Sequence, residues 1–259
     1  MSSSPPDEPF RKTRSGAPDG FFAAEAAGLR WLAAAGGASV VEPLSVGPEE
    51  IVLPYVRQRP PRPTDAEAFG AALARTHRAG ASHHGSPPEG WPSDGFIAAL
   101  PLPHTTVALE GGWGRFYADL RLTPYVAALD PEGRSAVQAV CDRLRDGDES
   151  LTGPPEPAAR LHGDLWSGNA LWGEDGAVLV DPAAHGGHRE TDLAMLALFG
   201  LPHLDRALAA YDEAYPLADG WRDRVILHQL HPLLVHATLF GGGYVTQATR
   251  TARRILHPR

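Results

Sequence analysis

Cysteine is almost missing from this chain: Cys141 is the only one in 259 residues, which excludes an intramolecular disulfide and a cysteine-built metal cage. Within "AVQAVCDRL" it falls at helical spacing and reads as a small buried apolar residue. Lysine is just as scarce. Lys12 is the single one, and in a chain rich in Ala, Gly, Pro and Arg its survival is conspicuous. Long apolar runs are absent too, as is a signal peptide, so a cytoplasmic protein with no membrane partner is expected. Positive charge is in deficit, with a formal net charge of −8, and no basic stripe is available to replace phosphate counterions, so nucleic acid is not an expected partner. The one basic cluster, "RTARRIL", reads as a solvated helix face. No internal repeat and no heptad run appears. What remains is a chain with 43% hydrophobic residues, long enough for one large or two small domains with a real core.

The order of segments suggests a small strand-bearing opening followed by a long helical remainder. Residues 1–9, "MSSSPPDEP", have the composition of a disordered start. "DGFFAAEAAGLRWLAAAGG" predicts a helix capped by Asp19 and stopped at Gly36-Gly37, with Phe22, Ala26, Leu29 and Ala33 as its inward stripe. Glu25 borders that stripe, and an acid so placed calls for a cationic partner. "EEIVLPYV" predicts a strand ending at Pro54, and "RQRPPRP" a linker. Two units are therefore expected: an N-terminal remnant over 1–57 and a helical unit over 58–259. The second opens with a helix from "TDAEAFGAALARTHRAG", where Thr64 and Glu67 suggest a capping box, Phe69, Ala72, Leu73 and Thr76 face inward and Gly80 ends it. From His83 to Thr106, five prolines predict an irregular loop. "WGRFYADLRLTPYVAAL", "RSAVQAVCDRL" and "RVILHQLHPLLVHATLF" predict further helices.

The chemistry concentrates in "LHGDLWSGNALW" and the "VDPAAHGGHRE" that follows it. "ALWGEDGAVLVD" predicts a hairpin around a Gly-Glu-Asp-Gly turn. Its open ends meet, which makes Asn169 and Asp181 neighbours. An Asn oxygen and a carboxylate oxygen are hard ligands suited to Mg²⁺. Asp164, five residues before Asn169, would lie beside that metal, where it can accept the proton of an attacking hydroxyl. Taken singly, Asp and Asn in loops ordinarily cap turns. Jointly, their spacing is the constellation of phosphoryl transfer.

These residues also carry a family resemblance. "LHGDLWSGN", "DPAAHGGHRETDLAMLALFG" and "LFGGGY", with "GWPSDGFIAALPLPH" and "GWGRFYADLRLTPYV", resemble the fructosamine kinase (ketosamine-3-kinase) family, a branch of the protein-kinase-like fold related to aminoglycoside and choline phosphotransferases. The likeness runs from about Lys12 to Leu256. It implies an α+β fold of two lobes, with a reduced or truncated β-rich N-lobe and a large helical C-lobe. It also implies phosphorylation of the 3-hydroxyl of fructosyl- or ribulosyl-amines by ATP and Mg²⁺, a step that makes the adduct labile and amounts to protein deglycation. Carried onto this chain, it makes Asp164 the catalytic base and Asn169 and Asp181 the metal ligands. His162 braces their loop, and Asp192 holds it by hydrogen bonds. Lys12 pairs with the ATP phosphates and Glu25 holds Lys12. Val52, Leu53 and Tyr55, in "VLPYV", belong to a hinge whose backbone meets adenine.

Trp166 and Trp113 are candidates for a sugar-amine pocket, because an indole offers an apolar face to a sugar and a π face to a cationic amine. His188, with His185, is read as a pocket or structural residue, since the spacing fits no zinc pattern. One departure stands out: the family's strand lysine follows a glycine-rich turn over the phosphates, whereas the eleven residues before Lys12 contain no Gly. Either the natural chain starts upstream or part of the small lobe is lost, and a true loss would weaken ATP binding. Three readings follow: a ketosamine kinase acting on a free or protein-bound substrate as a monomer, a phosphotransferase for another small hydroxyl compound such as an aminoglycoside or amino alcohol, and a nucleotide-binding pseudokinase.

Overall fold

The computed structural model describes residues 8–258; most of the stretch expected to be disordered, residues 1–7, lies outside the described part. β1 (Phe10–Thr13) carries Lys12, and α1 (Phe21–Ala33), β2 (Ser39–Val40), β3 (Ser45–Val46) and β4 (Glu50–Leu53) follow. An antiparallel sheet of order β1-β4-β3 sets Lys12 opposite Ile51. Phe22, Ala26 and Leu29 of α1 pack on Ile51 and Leu53 of β4, so the 3.6-residue spacing of that stripe is satisfied by a sheet. Ala33 is only half-buried, and Trp31 and Leu32 take the buried places beyond Leu29. Asp19 does not cap the helix: Gly20 stands there in the left-handed region (φ 78°) with no side-chain cap. A Cβ on Gly20 would lie 2.8 Å from the Trp91 ring, so this close approach requires glycine.

Residues 54–62 have no regular structure, and α2 (Pro63–Arg78) then begins one residue before the expected Thr64. Pro63 lacks an N–H and suits the first helical position. That moves the capping acid from Glu67 to Asp65, whose carboxylate accepts the Arg62 N–H at 2.7 Å. The expected irregular loop contains a hairpin, β5 (Gly95–Ile97) with β6 (Leu100–Leu102). Pro101 is tolerated because a two-stranded ribbon has only edges. α3 (Gly112–Phe116) continues into a π-helical stretch, Tyr117–Leu122, and a 3-10 stretch, Thr123–Ala128. α4 (Pro131–Arg145) buries Cys141 as its spacing predicted, and α5 (Glu149–Thr152) is a single short turn.

β7 (Ala159–Leu161), β8 (Ala170–Gly173), β9 (Gly176–Leu179) and β10 (His185–Gly187) precede five helices: α6 (Glu190–Phe199), α7 (Leu204–Ala214), α8 (Trp221–His228), α9 (Leu230–Phe240) and α10 (Gly243–Leu256). The single helix expected from Arg224 to Phe240 breaks at Gln229, because Pro232 can neither donate to residue 228 nor admit its carbonyl. β8 and β9 form the predicted hairpin, and β2 pairs in parallel with β9, which ties the N-terminal segment to the segment carrying Asp181. The largest core joins α3, α4, α9 and α10 through residues such as Phe116, Val140, Leu234 and Ile255. Among the described residues no helix is long and apolar enough to cross a membrane.

Candidate active site

After Leu161 the chain turns through His162, Gly163 and Asp164. Gly163 permits the turn, with φ 80° and room for no Cβ, which would meet the Ala183 carbonyl oxygen at 2.1 Å. Asp192, in the first turn of α6, holds the turn by accepting the N–H of His162 at 2.8 Å and of Gly163 at 2.9 Å. His77 Nε2 lies 3.2 Å from the same carboxylate, and His77 Nδ1 lies 2.8 Å from the Tyr211 hydroxyl. Burial would raise the Asp192 pKa, but His77, His162 and the Gly163 N–H outweigh it and keep the group below the usual carboxylate range. His162 Nε2 donates to the Val180 carbonyl at 2.9 Å, while Nδ1 accepts the Asp164 N–H at 3.3 Å. Those two bonds fix one neutral tautomer, and burial lowers the ring's pKa to match.

Asn169 closes this turn from its far end. Its amide nitrogen donates to the Asp164 carbonyl at 2.8 Å and to the Asp164 carboxylate at 3.0 Å, and it approaches the Asp181 carbonyl at 3.4 Å. Asp164 is pushed up to about 6 by burial, which Asn169 opposes and the charges of Asp181 and Asp192 reinforce. Asp181 sits just past β9 with φ 51°, a left-handed conformation that a non-glycine residue holds only where its surroundings enforce it. Lys12 reaches across from β1, with Nζ 2.9 Å from Glu25 and 2.8 Å from Asp181. The cation that Glu25 called for is therefore Lys12. Burial lowers the lysine's pKa, but the two carboxylates outweigh it and hold it above its ordinary value. Burial raises Glu25 to about 7 against the pull of Lys12, and its Oε1 is buried with no hydrogen-bond partner.

All five of these polar residues, Lys12, Glu25, Asp164, Asn169 and Asp181, line one cleft of about 440 Å³. The donor set fits a hard divalent cation: Asp181 has a carboxylate 43% exposed, Asn169 has committed its nitrogen and not its oxygen, and no thiolate lines the cleft. The rest of the lining mixes the rings of Phe21, Phe22, Trp91, Phe96 and Trp166 with His104, Arg14, Thr13 and small apolar residues such as Pro182 and Ala183.

Other predicted residues lie elsewhere. Trp113 does not reach the cleft: its ring stacks on Tyr117 at 4.8 Å and meets His228 at 4.7 Å, at 7% exposure. His188 is likewise buried, 5.1 Å from the Trp113 ring. Both are drawn inward by a buried charge network in which Arg224 grips both oxygens of Glu190, at 3.0 and 2.6 Å, and His188 and His228 pack around that acid. That guanidinium occupies the carboxylate that a metal would need. Val52 and Leu53 are buried in β4, Tyr55 is exposed, and none of them lines the cleft. Sequence reasoning missed Phe21, Trp91, Phe96 and His104 as lining residues and His77 as a support. "GWPSDGF" offered an aromatic signal for two of them; His77 gave none beyond its place beside the inward Thr76.

A profile of the fructosamine kinase family matches residues 6–258. A probable ketoamine kinase from Thermus thermophilus is 35% identical over 242 residues, covering 90% of this chain and 82% of its own. The crystal structure of a candidate fructosamine-3-kinase from Thermobifida fusca is 46% identical, covers 99% of this chain and 92% of its own, and superposes with a TM-score of 0.86. A choline/ethanolamine kinase family protein from Mesorhizobium loti covers 95% of this chain and 82% of its own at 18% identity, with a TM-score of 0.57, and shows the shared fold alone.

Proposed function

The chain belongs to the fructosamine kinase family and has an α+β protein-kinase-like fold with a helical C-lobe, and from that premise we propose that it transfers the γ-phosphoryl of ATP to the 3-hydroxyl of a sugar carried on an amine as a ketosamine. The observation that carries this reading is the meeting of Asp164, Asn169, Asp181 and the Lys12–Glu25 pair in one cleft that also carries five aromatic rings, Phe21, Phe22, Trp91, Phe96 and Trp166. The small lobe is taken to end near residue 57, with the acceptor held by the part that follows.

In this reading Asp164 takes the proton of the acceptor hydroxyl at its carboxylate, and Asn169 holds that carboxylate in line through its 3.0 Å bond. A carboxyl near pKa 6 is still ionised at neutral pH, and it is a stronger base than an ordinary aspartate. Lys12, steadied by Glu25, neutralises charge on the transferring phosphate. Asn169 and Asp181 would hold Mg²⁺, whose charge, when bound, offsets that of the nucleotide phosphates. Val52, Leu53 and Tyr55 do not line the cleft, so they would meet the adenine only where it extends past the cleft toward β4; Trp166 and Trp91 would border the sugar and its amine. The protein would act as a cytoplasmic monomer, and its product, a labile phosphorylated adduct, would serve deglycation.

The test is mass-spectrometric detection of added phosphate on ribulosyl-, fructosyl- and psicosyl-lysine and on an aminoglycoside, with Mg-ATP. Product confined to the ketosamines is expected. Phosphorylation of the aminoglycoside alone would replace this reading, and nucleotide binding without product on any acceptor would leave a pseudokinase.

A further inference from the structure

Lys12 enters the cleft already shared between two carboxylates, with Nζ 2.9 Å from Glu25 and 2.8 Å from Asp181. Arg14 lines the same cleft, yet among the described residues no ion pair includes it. Its backbone is fixed on both sides. The Arg14 N–H donates to the Glu49 carbonyl at 2.9 Å, its own carbonyl accepts the Ala17 N–H at 3.3 Å, and the Glu49 carboxylate accepts the Gly16 N–H at 2.7 Å. The side chain is placed as well: the guanidinium carbon lies 4.6 Å from the centre of the Phe21 ring, and Phe21 is itself wedged against Phe22 and Phe96, each at 5.1 Å. Attraction between cation and ring holds the guanidinium there with none of its charge neutralised by an acid.

The register of β1 says which anion that charge would meet. Phe10 pairs with Leu53 and Lys12 with Ile51, and the bond from Arg14 to Glu49 carries the pairing one step past Thr13. Arg14 follows Lys12 by two residues, so it faces the same side of the strand, about 7 Å further from the Leu53 end. In the kinase reading the base lies toward that end and Lys12 meets the phosphates, so a nucleotide laid along β1 has its terminal phosphate beyond Lys12. We propose that Arg14 binds this terminal phosphate as a second cation beside Lys12, and so selects a nucleoside triphosphate over a diphosphate. The inference rests on the kinase reading above. A planar fork of N–H donors can span two oxygens of one phosphoryl group, whose charge Lys12, drawn to Glu25 and Asp181, offsets only in part. The protonated amine of an acceptor would be repelled from the same guanidinium.

The experiment titrates Mg-ADP, and separately a non-hydrolysable ATP analogue with Mg²⁺, into the wild type, Arg14→Ala and Arg14→Lys in a calorimeter, with no acceptor present. Melting curves of the ligand-free variants check the fold. Arg14→Ala is expected to weaken the triphosphate analogue at least about tenfold while leaving ADP within about twofold of wild type. Arg14→Lys should recover part of that loss, since it keeps the charge without the fork. Equal losses for ADP and the analogue, or no loss for either, overturn the inference and leave the kinase reading standing. Unchanged nucleotide affinities with a raised KM for the ketosamine alone would assign Arg14 to the acceptor and also overturn it. A wild type that binds neither nucleotide and gives no product removes the kinase reading and the inference together.

Discussion

Asp164 combines two demands that conflict. Its carboxylate must be ionised to take a proton, yet burial and the nearby Asp181 and Asp192 raise it to about 6. A raised folded pKa means that its contribution to stability is fully present below the unfolded value and is lost as pH rises through about 6. Asp164→Asn should therefore raise the melting temperature at pH 7, by on the order of 1–2 kcal/mol of stability, while lowering transfer at least about 100-fold and leaving Mg-ATP binding nearly intact. Unchanged turnover would exclude Asp164 as base. For the wild type, kcat/KM should fall about tenfold per unit as pH drops below about 6; a flat profile down to pH 5 would contradict the assignment. Asp181→Ala should instead abolish metal-dependent nucleotide binding, and a variant with normal Mg-ATP affinity in a titration would show that the metal is held elsewhere.

At the scale of elements, the turn before Asp164 depends on close approaches that only glycine allows. α2 and α7 touch at Gly70, where a Cβ would lie 2.0 Å from the Ala207 carbonyl oxygen. Because α2 brings His77 to Asp192 and α7 brings Tyr211 to His77, spacing these helices apart should loosen the support beneath the turn. Gly70→Ala is expected to cost at least about 2 kcal/mol in chemical denaturation and to lower kcat without a matching rise in the nucleotide KM. Much of this scale was legible beforehand: α1, β4, α2 and the β8–β9 hairpin all follow from periodicity and turn residues. Helix starts were not: Pro63 moves the start of α2 and its capping acid to Asp65, and Gly20 opens α1 through backbone geometry with no side-chain cap. Pro232 signals the break at Gln229, and its missing donor outweighs the apolar spacing that predicts one continuous helix.

Across the whole molecule, charges in the cleft and behind it have opposite effects on stability. Glu25 and Asp164 are raised, and their ionised forms weaken the fold near neutral pH. Behind them, burial would raise Glu190 as well, but His228 and Arg224 hold it down at about 2. A lowered folded pKa contributes stability above the unfolded value, near 4.5, that is lost as pH falls toward 2. Glu190→Gln should be less stable than wild type by on the order of 2–3 kcal/mol at pH 6, and the gap should narrow as the pH of the unfolding titration approaches 3. A gap that stayed constant would mean that packing, not charge, is what the substitution removes.

The sequence by itself determined which residues carry the chemistry. Asp164, Asn169 and Asp181 follow from a short loop and a tight hairpin, where five and twelve residues of separation leave little freedom. It also fixed the need of Glu25 for a cation, since burial of an acid on a helix stripe is a local fact. The family resemblance pointed to Lys12 as that cation, and the structure pairs the two at 2.9 Å; only the tertiary structure decided that Trp113 and His188 belong to a buried network around Glu190, and that Trp91 and Phe96 complete the cleft. Those outcomes depend on which surfaces meet after α1, the β5–β6 hairpin and the later helices pack. An aromatic residue reads alike in sequence whether it will face a core or a cleft, because burial and exposure are set by partners far along the chain.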